Sequence, residues 1–381
     1  MSKKKIGLYI HIPFCTRKCP YCDFYSVCDL SMVNRYLAAL IKQMEEYGRA
    51  LGGFEADTVY FGGGTPSLLE KGQWKELLEA LHKNFSVSET AEVTIEVNPA
   101  SADYRLLKFL RKAGVNRLSV GVQSFNDTEL AKLGRLHSAS DARNTLKDAK
   151  KAGFGNLSVD LMYGLPGQTA ADFARSLDEA VGQGIQHLSA YGLKIEPNTP
   201  FGRAEDALDL PDEEVWCEMY EKLVGTCEAA GLMQYEISNF ARPGFESRHN
   251  LKYWTLAEYL GLGPAAHSYL GGRRFAFARD LTVYCRAFEG GDDAGLLSED
   301  YEAPASGAVA DYIMLSLRLK PGLSTADFTR RFRKSFEELE GGRLDRFVAA
   351  GLMTHEDGRY AFTTKGFCVS NAVLAELIDL E

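Results

Sequence analysis

Six short runs of Val, Ile, Leu and Tyr recur along the first half of the chain, with amphipathic stretches between them. GLYIHI (7–12), DTVYFG (57–62), EVTIEV (92–97), RLSVGV (117–122), NLSVDLMYG (156–164) and HLSAYGL (187–193) read as strands. They are brief and dense in apolar residues, as parallel strands covered on both faces are. VNRYLAALIKQMEEY (33–47), GQWKELLEALHKNF (72–85) and DYRLLKFLRKAG (103–114) space their apolar residues by three and four, the mark of a helix with one buried face. Six βα repeats predict an α/β fold, a partial parallel (β/α)6 barrel with its helices outside. Ligands of such folds gather at the carboxyl ends of the strands. The polar and glycine-rich pieces fall there: a cysteine loop after the first strand, Gly62-Gly63-Gly64-Thr65-Pro66 after the second, and Asn98-Pro99 after the third. LPGQT (165–169) reads as a turn into a helix.

The pattern changes after about residue 200. EPNTPFG (196–202) is turn-like, and DEEVWCEMYEKLVGTCEAAG (212–231) is helical. A stretch at 235–269 reads as loop-rich. From Ser306 the pattern is helical again. It ends in GLMTHEDGRYAFTTKG (351–366), where Asp-Gly separates two strand-like runs, a hairpin signal. The expected organisation is a core over 1–235, an extension over 236–302, and a small, mainly helical, winged-helix-like domain over 303–381.

Length and charge narrow the class. The 381 residues carry 43 basic and 52 acidic side chains, a formal charge of −9. An acidic chain lacks the basic face that nucleic-acid binding needs, so the carboxyl-terminal shape reads as a packing or docking module. The opening MSKKKIGLYIHIPF is neither a secretory signal nor a membrane span. Eight cysteines without framework spacing point to a reducing, cytoplasmic setting.

Three of those cysteines stand apart. Cys15, Cys19 and Cys22 follow Cys-x3-Cys-x2-Cys on one loop. Structural zinc usually takes two Cys/His pairs, and no second pair follows. A redox dithiol leaves Cys15 over. A [4Fe–4S] cluster uses all three and leaves one iron open to a ligand. Cys28 is a remote fourth thiol; Cys217, Cys227, Cys285 and Cys368 read as buried small apolar groups. An open iron is chelated by an amino group and a carboxylate together, and S-adenosylmethionine offers both. The glycine turn after the second strand lets backbone approach such a ligand.

With these pieces the chain resembles the radical S-adenosylmethionine (SAM) superfamily, in the branch of oxygen-independent coproporphyrinogen III dehydrogenases and their relatives. HIPFC, the cysteine run, GGGTPS, IEVNP, LSVGVQSF, SVDLMYGLPGQT and the carboxyl-terminal domain carry the likeness over most of the chain. The resemblance implies that Cys15, Cys19 and Cys22 hold three irons, with Tyr9 and Tyr21 near the cofactor. It implies that Gly63, Gly64 and Thr65 meet the methionine end of the ligand and that Glu96 accepts a hydrogen bond from it. Gln123 and Asp160 fall on its polar edge, and Arg135 pairs with its carboxylate. Taken singly, Glu96 also fits a helix cap, and Arg135 a solvated helix-end charge. When bound, the ligand on a reduced cluster yields a 5′-deoxyadenosyl radical.

Two readings of different class stay open: a radical oxidative decarboxylase of coproporphyrinogen III, and a heme carrier that delivers heme to apo-proteins. A radical enzyme acting on another substrate is a third. The dehydrogenase pattern has a further cysteine where this chain has Phe24, and only fourteen residues precede Cys15. His249-Asn250-Leu251-Lys252-Tyr253-Trp254 matches the HNxxYW pattern of the branch's heme-carrying members. It implies His249 as a heme ligand, with Tyr253 and Trp254 against the macrocycle and His267 as the next candidate. His11 is expected to shape the cluster pocket. The expected partners are heme and a heme-acceptor apo-protein, a respiratory membrane enzyme by resemblance. Pairing of two chains under control of the cluster is a further expectation.

Overall fold

The computed structural model describes residues 3–302 and 305–378; positions 303–304 and 379–381 of the expected carboxyl-terminal domain lie outside the described residues. The six expected strands all form: β1 (Lys4–Ile12), β2 (Phe54–Gly63), β3 (Val87–Val97), β4 (Arg117–Gln123), β5 (Leu157–Tyr163) and β6 (His187–Gly192). They lie side by side in chain order, and every neighbouring pair is parallel. The intervening helices are α1 (Val33–Ala50), α2 (Lys71–Asn84), α3 (Tyr104–Lys112), α4 (Asp127–Lys132), α5 (Ala139–Ala152) and α6 (Ala170–Gly182). Their apolar faces cover the outside of the sheet. Trp74 of α2, for example, packs edge-on against Phe61 of β2 with ring centroids 5.1 Å apart. The 165–169 turn does lead into a helix, since Thr169 caps α6 by accepting from the Asp172 amide.

The sheet continues beyond both ends of the parallel set. On the β6 side come two short antiparallel strands, β7 (Met233–Glu236) and β8 (Asn239–Ala241). Before them stand α7 (Pro200–Arg203) and α8 (Glu213–Ala229). On the other side β9 (Tyr259–Leu262) runs parallel to β1. Antiparallel β10 (His267–Leu270), β11 (Arg273–Phe277) and β12 (Leu297–Glu302) follow. The result is one twelve-stranded sheet in the order β12-β11-β10-β9-β1-β2-β3-β4-β5-β6-β8-β7. The stretch expected to be loop-rich is indeed irregular over much of its length, but short strands of it join the sheet. It also contains α9 (Arg248–Trp254), and α10 (Leu281–Phe288) packs beside it on α1. Runs of three to six residues carry too little periodicity to declare themselves; long-range pairing forms them.

The carboxyl-terminal region contains α11 (Ala305–Arg318), β13 (Leu323–Ser324), α12 (Thr325–Phe332), α13 (Gly342–Ala349), β14 (Met353–Glu356), β15 (Arg359–Phe362), α14 (Thr364–Cys368) and α15 (Ser370–Ile378). The order helix, strand, helix, helix, strand, strand is winged-helix-like. Asp357 and Gly358 both take positive φ, 50° and 67°, as a two-residue hairpin of type I′ requires.

Candidate functional site

The cysteine loop is built on β1 and closes on itself. The Cys15 amide donates to Val27 O (3.0 Å), the Val27 amide to Pro13 O (2.7 Å), and the Cys22 amide to Cys19 O (3.1 Å). The glycine turn after β2 is laced to its base, with Gly64 N donating to Ile12 O (2.8 Å) and Thr65 N to Phe14 O (2.7 Å). Thr65 Oγ1 lies 3.5 Å from Cys15 Sγ, and Arg135 Nη1 lies 3.8 Å from Cys19 Sγ. Among the described residues no three His, Cys, Asp or Glu donors converge on a single-ion site. A cluster does not ask them to, because each thiolate takes a different iron.

The residues fit a SAM-ligated cluster. A Cβ on Gly62 would stand 2.9 Å from the Glu96 carboxyl, and one on Gly64 2.6 Å from Phe14 O. Gly63 has φ +102°, and a Cβ there would run into the His11 imidazole. The cradle is thus backbone-lined. Glu96 is half-buried beside it, accepting from Tyr60 OH (2.9 Å) and from the Gly63 amide (3.1 Å). Burial pushes its carboxyl up to about 7; Asp160 adds to the rise, and the Tyr60 hydrogen bond, the Gly63 amide and Arg117 oppose it. A buried carboxylate without a bonded cation is a receptor for a cationic ligand. Asp160 accepts from Ser119 Oγ at 2.9 and 3.2 Å, and burial raises its carboxyl as well.

Gln123 has φ 68°, in the left-handed region that non-glycine residues seldom occupy. The ladder slips between Gly121 and Gln123, so the β4 end bulges. Its amide nitrogen lies over Gly121, beside the Arg135 guanidinium. Arg135 donates from Nη2 to Gly121 O (2.9 Å), and its buried Nε has no partner among the described residues. An orphan donor near the cysteine loop suits a ligand carboxylate. Tyr21 is half-buried against Phe201. Tyr9 lies on the inner face of the sheet, its hydroxyl 3.0 Å from His11 Nδ1. His11 Nε2 reaches Tyr25 O (2.9 Å), tying the end of the cysteine loop to the glycine turn. Phe24 projects into solvent.

His249 lies elsewhere. It is 1% exposed, on α9 against the early part of β1 to β3. Its Nδ1 is 2.8 Å from Thr58 Oγ1 and its Nε2 is 2.9 Å from Tyr253 OH. Burial, with Lys252 and Arg117 nearby, pulls its pKa down to about 3. A neutral ring with both nitrogens engaged offers no free lone pair to a heme iron, so the expectation that His249 is an axial ligand does not fit this arrangement. Tyr253 and Trp254 are half-buried. Tyr253 lines a cavity of about 190 Å³ with Tyr259, Tyr269, Arg274, Asp311 and Met314. That is below the ~300–1,000 Å³ of ordinary ligand pockets. His267, by contrast, has a side chain 61% exposed, with Nδ1 3.9 Å from Glu299 Oε2.

Sequence reasoning found Glu96 and Asp160 but missed most of the polar inner face they belong to. Thr58 and Tyr60, Glu92 and Glu96, Arg117 and Ser119, Ser158 and Asp160, and His187 and Ser189 alternate along five strands. Arg117 is 1% exposed, and its Nε has no partner among the described residues. His187 is buried with Nδ1 2.8 Å from Ser158 Oγ and Nε2 2.8 Å from Tyr235 OH. The signal was this period of two inside runs read as dense in apolar residues.

A cradle of glycines and an unpaired carboxylate beside a three-cysteine loop, at the carboxyl ends of six parallel strands, define a radical SAM protein. Residues 9–180 match the Radical SAM superfamily and residues 308–369 the HemN C-terminal domain. In overall fold the chain is similar to the coproporphyrinogen III oxidase HemN from Escherichia coli, a radical SAM enzyme. The TM-score is 0.87 at 23% identity, covering 100% of this chain and 91% of that one. Over its full length the sequence is similar to the heme chaperone HemW of Bacillus subtilis (strain 168), 36% identical over 97% of this chain and 98% of the relative. The heme chaperone HemW of Escherichia coli (strain K12) is 34% identical over 97% of each. The chain belongs to the HemW family.

Proposed function

We propose that this chain binds heme and passes it to acceptor apo-proteins, while carrying a [4Fe–4S] cluster on Cys15, Cys19 and Cys22 with exchangeable SAM on the fourth iron. Similarity to heme chaperones over nearly the whole of both chains carries this reading. Phe24 in place of a further cysteine supports it over the decarboxylase. The thiolate-held cluster calls for a reducing compartment, the cytoplasm. No helix among the described residues is long and apolar enough to cross a membrane.

When bound, the cluster and SAM supply reductive carbon–sulfur cleavage chemistry. The chain's own part is to hold them: the glycine turn and Glu96 at the cationic end, Arg135 and Gln123 at the carboxylate, and Asp160 deeper on the inner face. For the heme iron we favour His267. Its imidazole is exposed, so a ligand there can leave again, as a carrier requires.

An anaerobic heme titration of the cluster-reconstituted protein, read at the Soret band, tests both levels. Saturation near one heme per chain, with His267→Ala weakened and His249→Ala little changed in stoichiometry, is the expected result. Loss in His249→Ala alone reverses the choice of ligand. No saturable binding in the wild type rejects the carrier reading and makes coproporphyrinogen turnover the next assay.

A further inference from the structure

Helix α9 is fastened to the inner face of the sheet at several points. The Glu92 carboxylate accepts from the Arg248 and His249 amides, both at 3.1 Å, satisfying two donors of the first turn. Lys252 pairs with Asp57 at 2.7 Å, and Ser247 caps the helix through the Asn250 amide. These contacts hold the His249 ring flat against Tyr60, with centroids 5.3 Å apart and planes 28° apart. Tyr9 stacks on Tyr60 from another side, at 6.1 Å and 29°. The Tyr60 hydroxyl donates to Glu96 Oε1, and Glu96 Oε2 takes the Gly63 amide. An unbroken line of contact runs from Tyr253 through His249 and Tyr60 to Glu96 and the glycine cradle.

We infer that His249 is a positioning residue for the cofactor site: it fixes the Tyr60 ring, whose hydroxyl aims the Glu96 carboxylate at the cationic end of SAM. The HNxxYW segment then serves the cluster end of the molecule from behind. The chemistry of the ring supports this. Thr58 and Tyr253 hold it by both nitrogens, so its orientation is set, and its flat face is the part left to act. Among the described residues Glu96 has one side-chain donor, Tyr60, so the direction of its carboxylate depends on where that ring stands. Removing the imidazole opens a gap behind Tyr60 and lets the ring tilt. Removing only the Tyr60 hydroxyl breaks the same line one step later. Two unlike substitutions therefore share one consequence.

The test uses the full chain, cluster-reconstituted and anaerobic, as wild type, His249→Ala, His249→Gln and Tyr60→Phe. Equilibrium dialysis with labelled SAM gives its affinity. Electron paramagnetic resonance of the reduced cluster, with and without SAM, reports its ligation. A heme titration runs in parallel. His249→Ala and Tyr60→Phe should each weaken SAM binding about tenfold and blunt its effect on the cluster spectrum. Each should keep the heme stoichiometry of the wild type. His249→Gln, whose amide reaches a neighbouring hydroxyl, should recover part of the affinity. Unchanged SAM affinity in Tyr60→Phe overturns the inference, as does heme loss in His249→Ala with SAM affinity intact. Should His249→Ala fail to fold, Tyr60→Phe decides alone, since it keeps the ring and its packing. The inference stands on the radical SAM site and not on the carrier reading. A wild type that binds SAM but not heme rejects only the latter.

Discussion

Burial sets the charge of several groups inside this protein, and it does so in opposite senses. It holds His11 and His137 neutral, with pKa values lowered to about 4, and His249 to about 3. It pushes Glu96 and Glu236 up to about 7. The signs follow from linkage. Each imidazole contributes stability that is complete above its unfolded value of about 6.5 and is lost as pH falls toward 4. Each carboxyl contributes stability that is complete below about 4.5 and is lost as pH rises through about 7. The two slopes overlap and oppose each other, and with three imidazoles against two carboxyls the cofactor-free chain should be most stable where they balance, at about pH 6.5. Glu96 is faced by Tyr60, the Gly63 amide, Asp160, Arg117 and Tyr9. Glu96→Gln removes its part of the upper slope. Urea unfolding should find the variant close to wild type at pH 5 and more stable at pH 8, while SAM affinity falls. A difference equal at both pH values would show that the carboxyl ionises freely in the folded state.

Elements show why part of the site was legible and part was not. The cysteine spacing, the glycine turn and the Glu-Val-Asn-Pro end of β3 are contiguous in sequence, so local reading found them and their strand-end positions. Tyr60, Arg117 and His187 act only when five strands lie side by side. Inside runs dense in Val and Leu they look like polar exceptions. Their period of two is the recoverable sign of an inner face that is polar where the outer one is apolar. Helix α9 was harder still. It has seven residues, too few for a periodic pattern, and its role depends on contact with β1 to β3. Gly7 of β1 marks that contact, since a Cβ there would stand 2.7 Å from Lys252 Cδ and 3.2 Å from His249 Cε1. Gly7→Ala should push the helix outward and cost about 1–3 kcal/mol, as overpacking does. The denaturation midpoint should fall, and SAM affinity should fall with it. A lower midpoint with unaltered affinity would separate α9 from the cofactor site.

At the scale of the molecule, the parallel set was legible because each βα unit is a local repeat, whereas its extension was not. Pairing of Gly7 with Tyr259, or of His187 with Ala241, joins segments whose own sequences say little. That extension reaches back to the rim of the cysteine loop, where the Leu281 amide donates to the Tyr25 hydroxyl at 2.7 Å and Arg279 Nη2 to Asp23 O at 2.5 Å. Exposed apolar side chains stand on this rim. Phe24, two residues past Cys22, is 69% exposed, and Leu136, next to Arg135, is 54% exposed. Isolated exposed apolar residues are ordinary, but these two are placed by the segments that touch the cysteines. A cluster holding three points of the loop would fix their spacing, and its loss would release it. Pairing of two chains through this rim should then depend on the cluster. Light scattering on the reconstituted chain should give a larger mass than on the cluster-free chain. Phe24→Ser should return the loaded chain to the smaller mass without bleaching its cluster absorbance. Equal masses with and without cluster would reject cluster-dependent pairing through this rim.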